Sequence, residues 1–175
     1  EEYIEGVSRV IKEELLKEPF IDIVYGNEDK FDIVEHLKNE TNYIVRDLMN
    51  TNQFCKVTLN DSSKTRISLK IQDGCDNRCA YCIIPYARGN SRSNSIQNII
   101  KQVNLVVEKD IKEIVLTGIH IGQWGYEWNL SLIDLLKEIE KTSIPRYRLG
   151  SLYINELDDD IIEFLSKSEK FCPHF

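Results

Sequence analysis

The sequence lacks long apolar runs, a basic amino terminus, an excess of cations and an even set of spaced cysteines, and each gap removes a class of protein. No apolar stretch approaches the roughly 20 residues that span a bilayer, so no membrane segment is expected. The opening Glu1-Glu2-Tyr3-Ile4-Glu5 is acidic, unlike the basic start of a signal peptide. A formal net charge of −7 speaks against a general nucleic-acid binder. Five cysteines are an odd number, and three of them fall between positions 75 and 82, which is not a secreted disulfide framework. Clustered thiols in such a chain point to metal ligation in a reducing compartment, and a cytoplasmic location is expected. There is no initiating Met, and Phe171-Cys172-Pro173-His174-Phe175 looks like the start of another apolar element, so a piece of a longer protein is the expectation.

What is present is the composition of a folded domain, 42% hydrophobic and 29% charged over 175 residues. The charge is uneven. From Lys64 to Arg92 six cations (Lys64, Arg66, Lys70, Arg78, Arg88, Arg92) face two anions (Asp73, Asp76), a local +4 around the cysteines. An acidic protein with one basic mouth can still take an anionic ligand there.

Hydrophobic spacing predicts a helix over 1–18 that Pro19 ends, a strand over 21–26 and a helix over 28–38 with Asn27 as its cap. Residues 1–40 thus read as the end of a small α/β domain. The polar, turn-rich stretch 41–63 reads as a linker with one short strand near 56–59. From residue 64 to 175 the pattern is strand (66–72), cysteine loop, helix (95–107), strand (113–118), helix (130–139), strand (146–152), helix (158–165). That alternation calls for parallel strands with crossover helices, an α/β fold, here part of a (β/α) barrel.

The segment that carries chemistry is Asp73-Gly74-Cys75-Asp76-Asn77-Arg78-Cys79-Ala80-Tyr81-Cys82, a C-x3-C-x2-C pattern. Thiolates are the soft anionic ligands that iron–sulfur clusters prefer. Three ligands for four irons leave one iron open to a cofactor's amino and carboxylate groups. Gly74 lets the chain turn after the strand, Tyr81 offers an aromatic face to the cluster or to an adenine, and Arg78 and Arg88 would balance a negative cluster. Two other readings remain. Structural zinc would need Cys55, Cys172 or a His as fourth ligand without a paired partner. Alternatively, the cysteines are small buried hydrophobes.

The same residues carry a resemblance. C-x3-C-x2-C with an aromatic before the last cysteine, after a strand opening a β/α series, resembles the radical S-adenosylmethionine superfamily. Gln72 through Gly89, with Arg92-Ser93 behind, and Glu113-Ile114-Val115-Leu116-Thr117-Gly118-Ile119-His120-Ile121-Gly122 resemble the methylthiotransferases, in particular those acting on threonylcarbamoyladenosine in tRNA. Asp22-Ile23-Val24-Tyr25-Gly26-Asn27 is similar to the tail of that family's first domain. The resemblance implies a partial radical-SAM barrel, a [4Fe–4S] cluster on Cys75, Cys79 and Cys82, S-adenosyl-L-methionine as cofactor, tRNA as substrate, and a flavodoxin- or ferredoxin-type reductant. It implies a second, sulfur-donating cluster whose ligands are not in this sequence, since Cys55 alone cannot hold one, and an RNA-binding module that is not in it either. Where the family has Glu-Pro after the strand at 146–152, this sequence has Tyr153-Ile154.

Other residues have two readings each. Gly118, Gly122 and Gly125 follow a buried strand, where glycine admits either a ligand's methionyl part or a tight turn. His120 faces substrate or is satisfied by nearby backbone. Ser151 is a cofactor hydrogen-bond partner or a structural hydroxyl. Trp124, Tyr126 and Trp128, spaced by two, stack on bases or pack over a barrel mouth. Arg88 and Arg92 contact phosphate or sit solvated on the surface. Asp158-Asp159-Asp160 reads as a helix cap rather than a metal site. Two alternative functions stay open, another radical enzyme of the superfamily and a zinc- or cluster-stabilised RNA-binding module without catalysis.

Overall fold

The computed structural model describes residues 14–15, 17–25, 32–39, 43–44, 54, 65–150 and 152–174. These fall into two compact units, one holding residues up to 51 together with 76–90, the other holding 52–75 and 91 onward.

In the first unit, β1 (Val24–Tyr25) pairs in parallel with β2 (Tyr43–Ile44), and α1 (Ile33–Lys38) lies between them in sequence. The strand expected over 21–26 and the helix expected over 28–38 are each present in their described part, at Val24–Tyr25 and Ile33–Lys38. Most of the helix expected over 1–18, and the short strand near 56–59, lie outside the described residues. The segment 76–90 adds α2 (Ile84–Arg88), which Pro85 opens and Gly89, at φ 77°, closes.

The second unit is built on a parallel sheet of β3 (Arg66–Lys70), β6 (Glu113–Thr117) and β7 (Arg146–Leu149), in that spatial order. Between them in sequence lie β4 (Gln72–Asp73), β5 (Arg92–Ser93), α3 (Ile96–Glu108) and α4 (Leu132–Glu140), and α5 (Asp159–Lys167) follows β7. The register sets Arg66 beside Glu113 and Glu113 beside Arg146. Phe171 bridges Tyr147 in parallel on β7, with Cys172 N–H donating to Tyr147 O at 2.9 Å, so the apolar end of the sequence does begin another sheet position.

Each helix presents one stripe to the sheet. On α3 it is Ile99, Val103 and Val106, on α4 Leu132, Leu135, Leu136 and Ile139, and on α5 Ile161 and Leu165. They meet Leu69, Ile71, Ile114, Leu116 and Tyr147, all fully buried. The helix starts are chemically marked. Ser95 Oγ accepts from Asn98 N–H, Asp134 Oδ2 accepts from both the N–H and the Oγ of Ser131 at 2.9 Å, and Asp158 Oδ1 accepts from Ile161 N–H at 2.9 Å, which bears out the capping reading of the acidic run.

One expected strand is divided. The alternation predicts one strand over 66–72, but the parallel ladder stops at Lys70, and Gln72–Asp73 turns to pair antiparallel with Arg92–Ser93. Ile71 joins the two, its N–H donating to Thr117 O and its C=O accepting from Asn94 N–H, both at 2.8 Å. The cysteine segment therefore leaves and re-enters the unit through the two strands of a short ribbon.

Candidate functional site

Gln72 organises the start of the cysteine segment. It is fully buried at the end of the sheet. Its Nε2 donates to Asp73 O, Gly74 O and Ser91 Oγ at 2.8–2.9 Å, and its Oε1 accepts from the backbone N–H of Ile119 and His120 at 3.0 and 2.8 Å. One amide thus ties the carbonyls preceding Cys75 to the loop after β6. Gly118 makes room for it, since a Cβ there would stand 2.9 Å from Gln72 O and Gln72 Oε1.

Beside Gln72 lies a buried ion cluster. Asp73 Oδ2 takes Arg92 Nη2 at 3.0 Å and Lys70 Nζ at 2.7 Å. Burial pushes the Asp73 carboxyl up, but the Lys70 hydrogen bond and the charges of Lys70 and Arg92 outweigh it and hold the group below the usual carboxylate range. Arg92 is 3% exposed. This corrects the reading of Arg92 as a phosphate contact, because its guanidinium is enclosed against Asp73 rather than offered at the surface.

Cys75 follows, 5% exposed, with Sγ 3.6 Å from His120 Nδ1. The other ring nitrogen of His120 bonds the Glu156 carboxylate, and the Tyr153 ring meets the imidazole edge-on at 4.5 Å. His120 is therefore satisfied by side chains on both sides of its ring. Glu156 Oε2 also accepts from Tyr153 N–H at 2.9 Å, and a Cβ at Gly122 would fall on that carboxylate. Tyr153 and Ile154, where the resemblance places Glu-Pro, thus open the 3-10 turn (Ile154–Glu156) that carries Glu156.

In the other unit, Cys79 and Cys82 are half-buried on a tight turn, with Cys82 N–H donating to Cys79 O at 3.0 Å. Tyr81 between them is 90% exposed, and the Arg78 guanidinium lies over the Tyr86 ring at 5.3 Å. Arg88 is half-buried in the last turn of α2. Ser151 lies outside the described residues.

The aromatic loop differs from the extended segment expected. Two 3-10 turns, Ile121–Gln123 and Tyr126–Trp128, rotate the side chains apart. Trp124 is fully buried, its Nε1–H donating to Asn94 O, with Trp128 packed edge-on at 6.1 Å and Tyr126 exposed. Glu127 clamps this loop to β5, accepting from Ser93 N–H and Ser93 Oγ.

The donor set fits an iron–sulfur group by its chemistry. Cys75, Cys79 and Cys82 are thiols, none in a disulfide. Among the described residues no three His, Cys, Asp or Glu side chains are gathered as a finished metal cage.

Comparison with known proteins fits this donor set. The profile of the Radical SAM superfamily matches residues 69–169, more than half of the sequence. The chain belongs to the radical SAM superfamily. Proteins of that superfamily use a [4Fe–4S] cluster and S-adenosylmethionine. Similar curated proteins include the threonylcarbamoyladenosine tRNA methylthiotransferase of Aquifex aeolicus, 34% identical over 175 residues, covering 96% of this chain and 43% of that protein. The Bacillus subtilis protein of the same name is 35% identical over 170 residues, covering 92% and 38%. The tRNA-2-methylthio-N(6)-dimethylallyladenosine synthase of Clostridium tetani is 30% identical over 177 residues, covering 97% and 38%. This radical SAM chain spans about two fifths of the length of these relatives.

Sequence reasoning named the cysteines but missed Gln72, Asp73 and Glu156 as site-shaping residues. Gln72 and Asp73 carried a signal, since polar residues ending a strand directly before a ligand loop need buried partners. Glu156 carried none, because its meeting with His120 is a tertiary contact across 36 positions.

Proposed function

We propose that this chain is the radical-SAM portion of a tRNA methylthiotransferase acting on a threonylcarbamoyl-modified adenosine next to the anticodon. The observation that carries the reading is the C-x3-C-x2-C thiol set leaving a parallel α/β sheet, within a sequence similar over nearly all its length to enzymes of that name. In this reading residues 1–40 end an N-terminal domain, 41–63 link, and 64–175 form the first half of a β/α barrel.

Cys75, Cys79 and Cys82 would hold the cluster. When bound, the cluster supplies one electron that cleaves the sulfonium of S-adenosylmethionine, giving the radical that removes a hydrogen atom from the base. The chain's own residues do the positioning. Gln72 and the Asp73–Arg92 pair fix the backbone entering Cys75. Tyr81, Gly118, Gly122 and Ser151 are the proposed cofactor-side positions. Arg88 is the proposed phosphate contact, while Arg92 serves the interior. A flavodoxin- or ferredoxin-type protein would supply electrons in the cytoplasm. No helix among the described residues is long and apolar enough to cross a membrane.

Anaerobic reconstitution with iron and sulfide tests this. The expected product is a brown protein with about four irons per chain that forms 5′-deoxyadenosine on reduction with S-adenosylmethionine. In this reading methylthiolation of tRNA also draws on a sulfur-donating cluster and an RNA-binding module, as the resemblance implies. Colourless protein holding one tight zinc would overturn the reading. Methylthiolation assays in which cofactor cleavage is indifferent to tRNA would move the substrate elsewhere.

A further inference from the structure

Among the described residues, Cys75 is the one cysteine of the trio whose sulfur meets a histidine. His120 is 3% exposed, and its position is fixed four ways. Its N–H donates to Gln72 Oε1, its ring edge meets Tyr153, Nδ1 faces Cys75 Sγ at 3.6 Å, and Nε2 bonds Glu156. Gly122 leaves the space that Glu156 fills.

We infer that His120, oriented by Glu156, is a positioning residue that donates a hydrogen bond to the Cys75 sulfur and thereby sets the reduction potential of the centre that Cys75 helps to hold. The inference rests on the reading of Cys75 as a cluster ligand. A ligated cysteine carries no proton, so the contact to Nδ1 is then an N–H donated to sulfur, and the Glu156 carboxyl group bonded to Nε2 holds the ring in that orientation. Hydrogen bonds to cluster sulfurs are among the levers that set potential, and reduction places more negative charge on those sulfurs. The donor therefore favours the reduced state. Glu156 keeps the ring from rotating away, as outer partners of ligand-contacting histidines commonly do.

The test is an anaerobic redox titration, at one pH, of the reconstituted chain followed by electron paramagnetic resonance. His120→Phe keeps a ring in place and removes both ring nitrogens. It is expected to load iron like the wild type and to disfavour one-electron reduction by about tenfold, a fall of ~59 mV. His120→Asn returns an amide N–H near the Nδ1 position and is expected to recover most of that shift, which a purely structural histidine would not explain. If His120→Phe fails to fold, the wild type still decides the matter. Histidine labelled with 15N is expected to give a hyperfine coupling in the reduced cluster's spectrum. A loaded wild-type cluster with no such coupling, or His120→Phe with an unchanged potential, overturns the inference while leaving the cluster reading intact. Wild-type protein that binds no iron overturns both.

Discussion

Replacing Gln72 by Ala tests whether the amide, rather than the cysteines themselves, holds the entry to the site. The substitution strands the N–H groups of Ile119 and His120 and removes the donor from the carbonyls of Asp73 and Gly74. A buried polar group left without its partner costs about 1–3 kcal/mol. Water entering the vacated volume recovers part of that, so the net loss is expected near 3 kcal/mol, a large share of a typical folding free energy of about 5–15 kcal/mol. With a urea slope of about 2 kcal/mol/M, the midpoint moves down by ~1.5 M. Gln72→Glu is the sharper variant. It keeps an acceptor for the two N–H groups but sets a second oxygen against two carbonyls, and it is expected to be at least as destabilising as Ala. Urea titration followed by circular dichroism reads both. A midpoint shift under about 0.5 M for Ala, or a Glu variant as stable as the wild type, would refute the reasoning.

Other outcomes follow from the second unit. Glu113 Oε1 accepts from Arg148 Nε at 2.7 Å, and that bond, opposed by burial and aided by the charges of Arg148, Arg146 and Arg66, lowers its pKa below the ordinary 4.5. A carboxyl depressed on folding stabilises above its unfolded pKa and loses that contribution as pH falls through the folded value. Thermal melts from pH 6 to pH 3 should therefore fall more steeply for the wild type than for Glu113→Gln, and parallel curves would count against the pairing. Leu116→Ala, at a fully buried position on the central strand, is expected to cost about 2–5 kcal/mol by denaturant titration. Ser131→Ala removes the Oγ bond to Asp134 at the start of α4 and should cost about 1 kcal/mol, with no change in iron uptake. On the proposed tRNA reading, Arg88→Ala is expected to weaken tRNA binding and flatten its salt dependence, as loss of one phosphate contact does; unchanged binding would return Arg88 to a structural role.

The elements of the second unit were legible because local chemistry and tertiary demand agree there. Ile99, Val103 and Val106 repeat at helical spacing, Ser95 and Asp158 cap, and Glu113–Thr117 is apolar enough for a strand covered on both faces. Where the reading failed, long-range pairing decided the outcome. Nothing local distinguishes Ile71 as the point where a parallel ladder gives way to an antiparallel ribbon. That change exists only because Arg92 and Ser93 return to meet Gln72 and Asp73. The same return moves Arg92 from the solvent to the interior. Trp124, Tyr126 and Trp128 were misjudged because period-two spacing implies one face only in extended backbone, and left-handed Gly125 (φ 85°) separates two tight turns there. The cysteines were read from their spacing alone, whereas the histidine and carboxylate behind Cys75 required a fold.

The sheet grows in chain order, and the separations between paired positions shrink along it. Arg66 meets Glu113 across 47 positions, Glu113 meets Arg146 across 33, and Tyr147 meets Phe171 across 24. The entropy lost on closing a loop rises only with the logarithm of its length, about 0.6 kcal/mol per doubling. The first pairing is thus the dearest, and it is the one whose intervening chain contains the thiols. The Asp73–Arg92 rung lies inside that excursion. Once it has closed, the remaining tether is effectively shortened, and the ribbon serves as a splint for assembly of the parallel sheet as well as a frame for the ligands.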